Sequence, residues 1–169
     1  MSRATELFDF LRTCPQLNDL WSIGATEDVG VSVILPQGSS QVYRYNEQVD
    51  GLGNYECDMI PNESIFEDYQ INLYKPYIAQ DTSEPQYNIN VLNYDECQSV
   101  CDWIMEQNSL RNLPTITGLN VVSIECNPIT PQVLYVNVEE DVIGYFITVR
   151  LRYVNPYSSI DGIYYERNS

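Results

Sequence analysis

The chain opens on an apolar stripe. Leu7, Phe10, Leu11 and Cys14 fall at i, i+3, i+4 and i+7, one face of a 3.6-residue period, and predict a helix over residues 2–14 with Ser2 as N-cap. Pro15 either stops that run or begins a second short turn, in which Leu17, Leu20 and Trp21 are the apolar positions. The period then drops to two. Residues 29–35 are rich in branched side chains and predict a strand, residues 36–40 a Pro/Gly/Ser turn, and residues 41–45 a second short strand. Residues 46–62 contain Asp50-Gly51 and Gly53-Asn54, the composition of a tight turn within a hairpin or a long loop. Residues 64–74 predict a longer strand, with Tyr69, Ile71 and Leu73 on one face and Asp68, Gln70 and Asn72 on the other.

Pro76 and Pro85 mark residues 75–88 as a loop. A helix is expected over 89–108, where Cys97, Val100, Cys101 and Ile104 repeat the spacing of the first helix, and Asn112 and Pro114 end it. Residues 118–126 and 132–138 read as strands separated by Asn127-Pro128. Glu139, Glu140 and Asp141 form an acidic turn. The last strand, 143–154, alternates Tyr145, Ile147, Val149, Leu151 and Tyr153 with Phe146, Thr148, Arg150 and Arg152. The order α-β-β-β-α-β-β-β predicts an α+β fold, a mostly antiparallel sheet with two main helices packed on one face. Residues 1–154 form a single domain in this reading, and 155–169 a C-terminal extension.

Length agrees with one domain: 169 residues are enough for one core without staples. Charge narrows the function classes. Asp and Glu number 24 against 8 Lys and Arg, a formal net charge of −16, and Lys75 is the only lysine. The basic residues are scattered apart from the Arg150/Arg152 pair. Without a Lys/Arg cluster to displace counterions, specific nucleic-acid binding is not expected, and an anionic membrane is a poor partner for the same reason. The absence of histidine excludes a Ser-His-Asp triad, a histidine metal site and imidazole acid–base chemistry. No cofactor is expected. No apolar run approaches the ~20 residues of a membrane helix, and the opening residues carry no signal-peptide pattern. Five cysteines, Cys14, Cys57, Cys97, Cys101 and Cys126, show no paired spacing, so a reduced, cytosolic chain is expected.

Several residue groups have the composition of a chemical site. Cys97 and Cys101 are one helical turn apart and could offer two thiolates to zinc, but a structural site needs four ligands, so Cys14, Cys57 or Cys126 would have to converge on them. Burial as small apolar side chains is the default reading. Glu139, Glu140 and Asp141 could supply an acid–base pair, yet they lie at a hairpin tip, whereas catalytic carboxylates sit in clefts that shift their pKa. Residues 50–54 lack the order of a calcium loop, and their glycines do not make a phosphate-binding fingerprint. Asn62-Glu63-Ser64 matches a glycosylation triplet, with no secretion signal to give it meaning. Fourteen tyrosines against four phenylalanines say more, because tyrosine is favoured at protein–protein surfaces. Tyr43, Tyr45, Tyr55, Tyr77, Tyr87, Tyr157, Tyr164 and Tyr165 fall in expected loops, edges or the extension. That pattern fits an assembly subunit better than an enzyme.

Three segments carry a family resemblance: residues 7–15 (LFDFLRTCP), the helix end from Trp103 to Asn108 (WIMEQN) with Arg111-Asn112-Leu113-Pro114, and residues 145–153 (YFITVRLRY). In this order and spacing the chain resembles the small minor capsid or tail terminator proteins of long-tailed bacteriophages and prophages of Gram-positive bacteria, over roughly residues 5–154. The resemblance implies an α+β virion subunit, made in the host cytoplasm, that forms a six-membered ring on the finished tail tube, stops its growth and presents a surface to the head connector. It implies no catalysis. The implied partners are further copies of the chain, the tail tube protein and head–tail connector proteins. The chain exceeds shorter members at residues 46–62 and 155–169. A closed ring needs a head-to-tail interface; the candidates from loops and edges are Asp50, Tyr55, Tyr77, Tyr87, Glu139, Glu140 and Asp141. Two alternatives share the composition: a head–tail connector or stopper subunit, and an acidic binding module outside the virion whose surface mimics DNA.

Overall fold

The computed structural model describes residues 3–17, 20–23 and 32–157. Its architecture is α+β: a six-stranded, mostly antiparallel sheet, a separate two-stranded ribbon and two α-helices. Helix α1 spans Arg3–Leu11 and a 3-10 turn Pro15–Leu17. The strands are β1 (Leu20–Ile23), β2 (Ser32–Ser39), β3 (Tyr43–Val49), β4 (Tyr55–Pro61) and β5 (Ser64–Pro76). Helix α2 (Ile89–Ser109) follows, then β6 (Val121–Cys126), β7 (Gln132–Asn137) and β8 (Val142–Val154). The sheet order is β1-β2-β5-β8-β6, and β7 also pairs with β8. β1 runs parallel to β2; the other pairs are antiparallel.

The β5–β8 pair is the spine. Its register runs without a shift from Ser64↔Val154 to Pro76↔Val142. Because side chains alternate across a strand, Ile71, Leu73, Ile147, Val149 and Leu151 all reach one face and are buried there. Both helices cover that face. Leu7 and Leu11 of α1 and Cys97, Val100, Cys101 and Ile104 of α2 join the same core cluster. Phe10 and Trp103 lock the helices together, with ring centroids 5.5 Å apart.

The other face is sparser. At the β8 start, Val33, Tyr74 and Val142 form a small second cluster with Tyr135 packed on it. Gly144 makes this possible: a Cβ there would stand 2.8 Å from the Tyr135 ring. At the β8 end the face is charged. Arg150 bonds both oxygens of Asp68 (Nε–Oδ1 2.9 Å, Nη2–Oδ2 3.0 Å) and lies 3.6 Å above the Phe66 ring.

Two local expectations are corrected, and the two readings of residues 46–62 are decided in favour of the hairpin. Residues 36–39 are not a turn; β2 continues to Ser39 through a register shift between Pro36 and Gly38. Proline is tolerated there because β1 pairs β2 only up to Ile34, leaving the edge beyond it unpaired by β1. Leu20 and Trp21 belong to strand β1 rather than to a turn. Residues 43–61 form a full hairpin, in register from Tyr43↔Pro61 to Val49↔Tyr55. The part of the expected strand at 29–31, the N-cap at Ser2 and most of the extension, 158–169, lie outside the described residues.

Candidate assembly surfaces

The hairpin β3–β4 is the most exposed element. Apart from its base, both strands are solvent-exposed along their length. Tyr45, Tyr55, Val49 and Leu52 present apolar surface, with Tyr45 and Tyr55 each 62% and Leu52 89% exposed. The tip is built by Asp50, whose carboxylate accepts from the Leu52 N–H (2.8 Å), the Asn54 N–H (2.9 Å) and Asn54 Nδ2 (3.0 Å). Those bonds, the Asn54 backbone first, hold the Asp50 carboxyl below its ordinary pKa. They engage both carboxylate oxygens of Asp50 within the turn itself. Gly53 turns the chain at φ +82°. The Tyr55 hydroxyl, bonded to Glu47, is pushed up to about 12.

Asn155 clamps the base of the hairpin. Its Nδ2 donates to the Val42 carbonyl (3.1 Å) and the Asn62 carbonyl (2.9 Å), and the residue is buried. The ribbon is therefore tied to the end of β8. Beside that base opens a pocket of about 500 Å³, lined among others by Arg44, Arg152, Ser40, Ser64 and Phe66.

The acidic turn lies at the opposite end of the spine. Glu139, Glu140 and Asp141 are all exposed. The turn is fixed by its backbone: the Glu140 N–H donates to Asn137 Oδ1 (3.1 Å), the Tyr77 N–H donates to the Asp141 carbonyl (2.8 Å), and Asp141 adopts φ +53°. Tyr77 is half-buried against the core, whereas Tyr87, on a short 3-10 turn at Pro85–Tyr87, is 70% exposed. Six of the seven expected interface residues thus divide between two ends of the molecule, Asp50 and Tyr55 on the ribbon and Tyr77 with residues 139–141 at the far turn. The seventh, Tyr87, precedes α2, whose first turns bond the carbonyls of Pro76 and Ile78.

The cysteines do not gather into one site. Cys57 is exposed on the ribbon, and the other four are buried. Among the described residues no three Cys, Asp or Glu side chains converge as metal ligands. Cys101 and Cys126 do meet: the hydrogen bond between them, with burial, pushes the Cys126 thiol far above its ordinary range.

One polar group was not visible in the sequence pattern. Glu67 sits on the helix-covered face of β5, where it pairs with Arg3 and accepts from the hydroxyls of Tyr69 (2.6 Å) and Tyr153 (2.8 Å). Burial first, and Glu67 second, raise the pKa of both tyrosines. Tyr69 is two residues from Glu67 on the same strand face, but Arg3 and Tyr153 are 64 and 86 residues away, so no local pattern announced the whole cluster. Its donors satisfy the carboxylate, which gives it a tethering role between α1 and the sheet.

Further edges are open. β7 carries Val133, Leu134 and Val136 exposed, and Val138 follows at 59% exposure. No helix of the described residues is long and apolar enough to cross a membrane. No protein-family model matches the chain, and no curated protein matches it either.

Proposed function

We propose that this chain is a structural virion subunit, the tail terminator of a long-tailed bacteriophage or prophage, which assembles as a ring on the end of the tail tube and presents a surface to the head connector. The observation that carries this reading is the β3–β4 ribbon. A lone two-stranded hairpin is marginally stable in water, and this one holds Tyr45, Val49, Leu52 and Tyr55 in solvent. Such a ribbon gains its packing from a neighbour. The three segments that resemble the terminator family lie on α1, the end of α2 and β8, elements that build the core, and Asn155 just beyond β8 ties the ribbon to it. The charge of −16 also suits a ring through which DNA passes, because a negative wall repels phosphates.

The test is electron microscopy of particles produced without this protein. The terminator role predicts tails of uncontrolled, excessive length. Tails of normal length beside full, unjoined heads would instead assign the chain to the head–tail connector.

A further inference from the structure

Arg44 and Arg152 stand out in a molecule so rich in acid. Both line the 500 Å³ pocket at the base of the ribbon. Arg152 lies 5.1 Å from the Phe66 ring centre and reaches Ser64 Oγ at 3.4 Å. Among the described residues, no carboxylate forms an ion pair with either guanidinium; the ion pairs found there use Arg3, Lys75 and Arg150. The pocket does contain one carboxylate, the exposed Glu63, so two positive charges face one negative. Paired guanidiniums beside hydroxyls are suited to carboxylates.

The chain carries a matching group in the acidic turn, Glu139, Glu140 and Asp141, whose backbone is already fixed by Asn137 and Tyr77. It cannot reach its own pocket. The pocket lies where Ser64 pairs with Val154, and the turn precedes Val142, the partner of Pro76. The thirteen-residue strands between them span about 40 Å. Apolar surface flanks both ends: Tyr45 and Met59 are exposed beside Arg44 on the ribbon, and Val136 and Val138 are exposed before the turn.

We propose that copies of this chain associate head to tail, the 139–141 turn of one copy placing its carboxylates in the Arg44/Arg152 pocket of the next. This rests on the ring reading above and names the contact that closes the ring. Two different patches meeting in this way form a heterologous interface, which repeats around a ring. A second copy is favoured over a nucleic acid because Glu63 and the net charge of −16 oppose an extended polyanion. Between copies, the long-range repulsion is cut off beyond ~8 Å at physiological salt, while the pocket contact acts at short range.

The experiment is sedimentation velocity on the full chain at physiological salt. Wild type associates. Arg44→Glu and Glu140→Arg, both at exposed positions, each weaken association at least about tenfold, as expected for a close charge pair, with unchanged circular dichroism. Mixed in equal amounts they associate again, because each supplies the charge that the other's pocket or turn now needs. Unaltered association of either variant, failure of the mixture to recover, or a wild type that stays monomeric at every concentration overturns the proposal. So does rescue of Arg44→Glu by Asp161→Arg in the same chain, which would make the chain's own C-terminal segment the occupant. Tail length in particles lacking the protein reports separately on the ring reading. Overlong tails with no recovery in the mixture reject this contact alone; normal tails with recovery reject the terminator role alone.

Discussion

Cys97 shows how a single buried side chain ties stability to pH. It lies on the inner face of α2 with no exposed surface. Burial penalises the thiolate and pushes the group from an ordinary 9.0 up to about 12. Between those values the folded chain keeps a proton that the unfolded chain has released. Its contribution to stability is therefore complete below pH 9 and is lost as pH rises from 9 through 12. Tyr69 and Tyr153, raised by burial and by Glu67, act with the same sign from about pH 10 upward. Urea midpoints at pH 8 and pH 11 should fall for both wild type and Cys97→Val, and by less in the variant. An equal fall in the two would show that Cys97 does not contribute. Glu67 makes the complementary point: a carboxylate on the core-covered side of the sheet is tolerated because Arg3 and two tyrosine hydroxyls reach it.

At the scale of elements, α2 is the best-defined piece. Asn88 caps it, its side-chain oxygen accepting from the Asn90 N–H (3.0 Å) and the Val91 N–H (3.3 Å), while its amide nitrogen bonds the Asp81 carbonyl (3.1 Å). Replacing it by alanine should cost about 1 kcal/mol, read as a lower urea midpoint with an unchanged slope; an unchanged midpoint would contradict the cap. This helix was legible because Cys97, Val100, Cys101 and Ile104 keep a strict helical spacing and all are buried. β5 and β8 were legible for the same kind of reason, since one face of each is covered and the alternation follows. The ribbon was only half legible. Glu47, Gln48, Glu56 and Asp58 are exposed, so with no buried face the period of two never reaches the sequence, and only its Asp50–Asn54 turn announced it. β1 is four residues long, too short to show a period beside Pro15. The Arg44/Arg152 pocket joins residues from β3 and β8, which no local pattern connects.

For the whole molecule, charge and shape set the terms on which the proposed assembly would form. Each copy brings −16, so copies repel until salt screens them. Association measured by light scattering should rise from millimolar to physiological salt, as the Debye length falls from tens of ångströms to ~8 Å. Stable rings at the lowest salt that dissociate as salt rises would contradict this balance. The two ends of the β5–β8 spine carry unlike surfaces, a ribbon with an arginine pocket at one end and an acidic turn with an apolar edge strand at the other. This polarity is what a head-to-tail ring requires.

The central claim is that this chain ends tube growth by binding as a ring. It is tested most directly by polymerising the tail tube protein of the phage or prophage to which the proposal assigns this chain, with and without the chain, and measuring tube lengths and tube ends by electron microscopy. The account predicts that adding the chain arrests elongation and leaves a ring of its copies at one end of each tube. Tubes that grow to the same lengths, with bare ends, would contradict it.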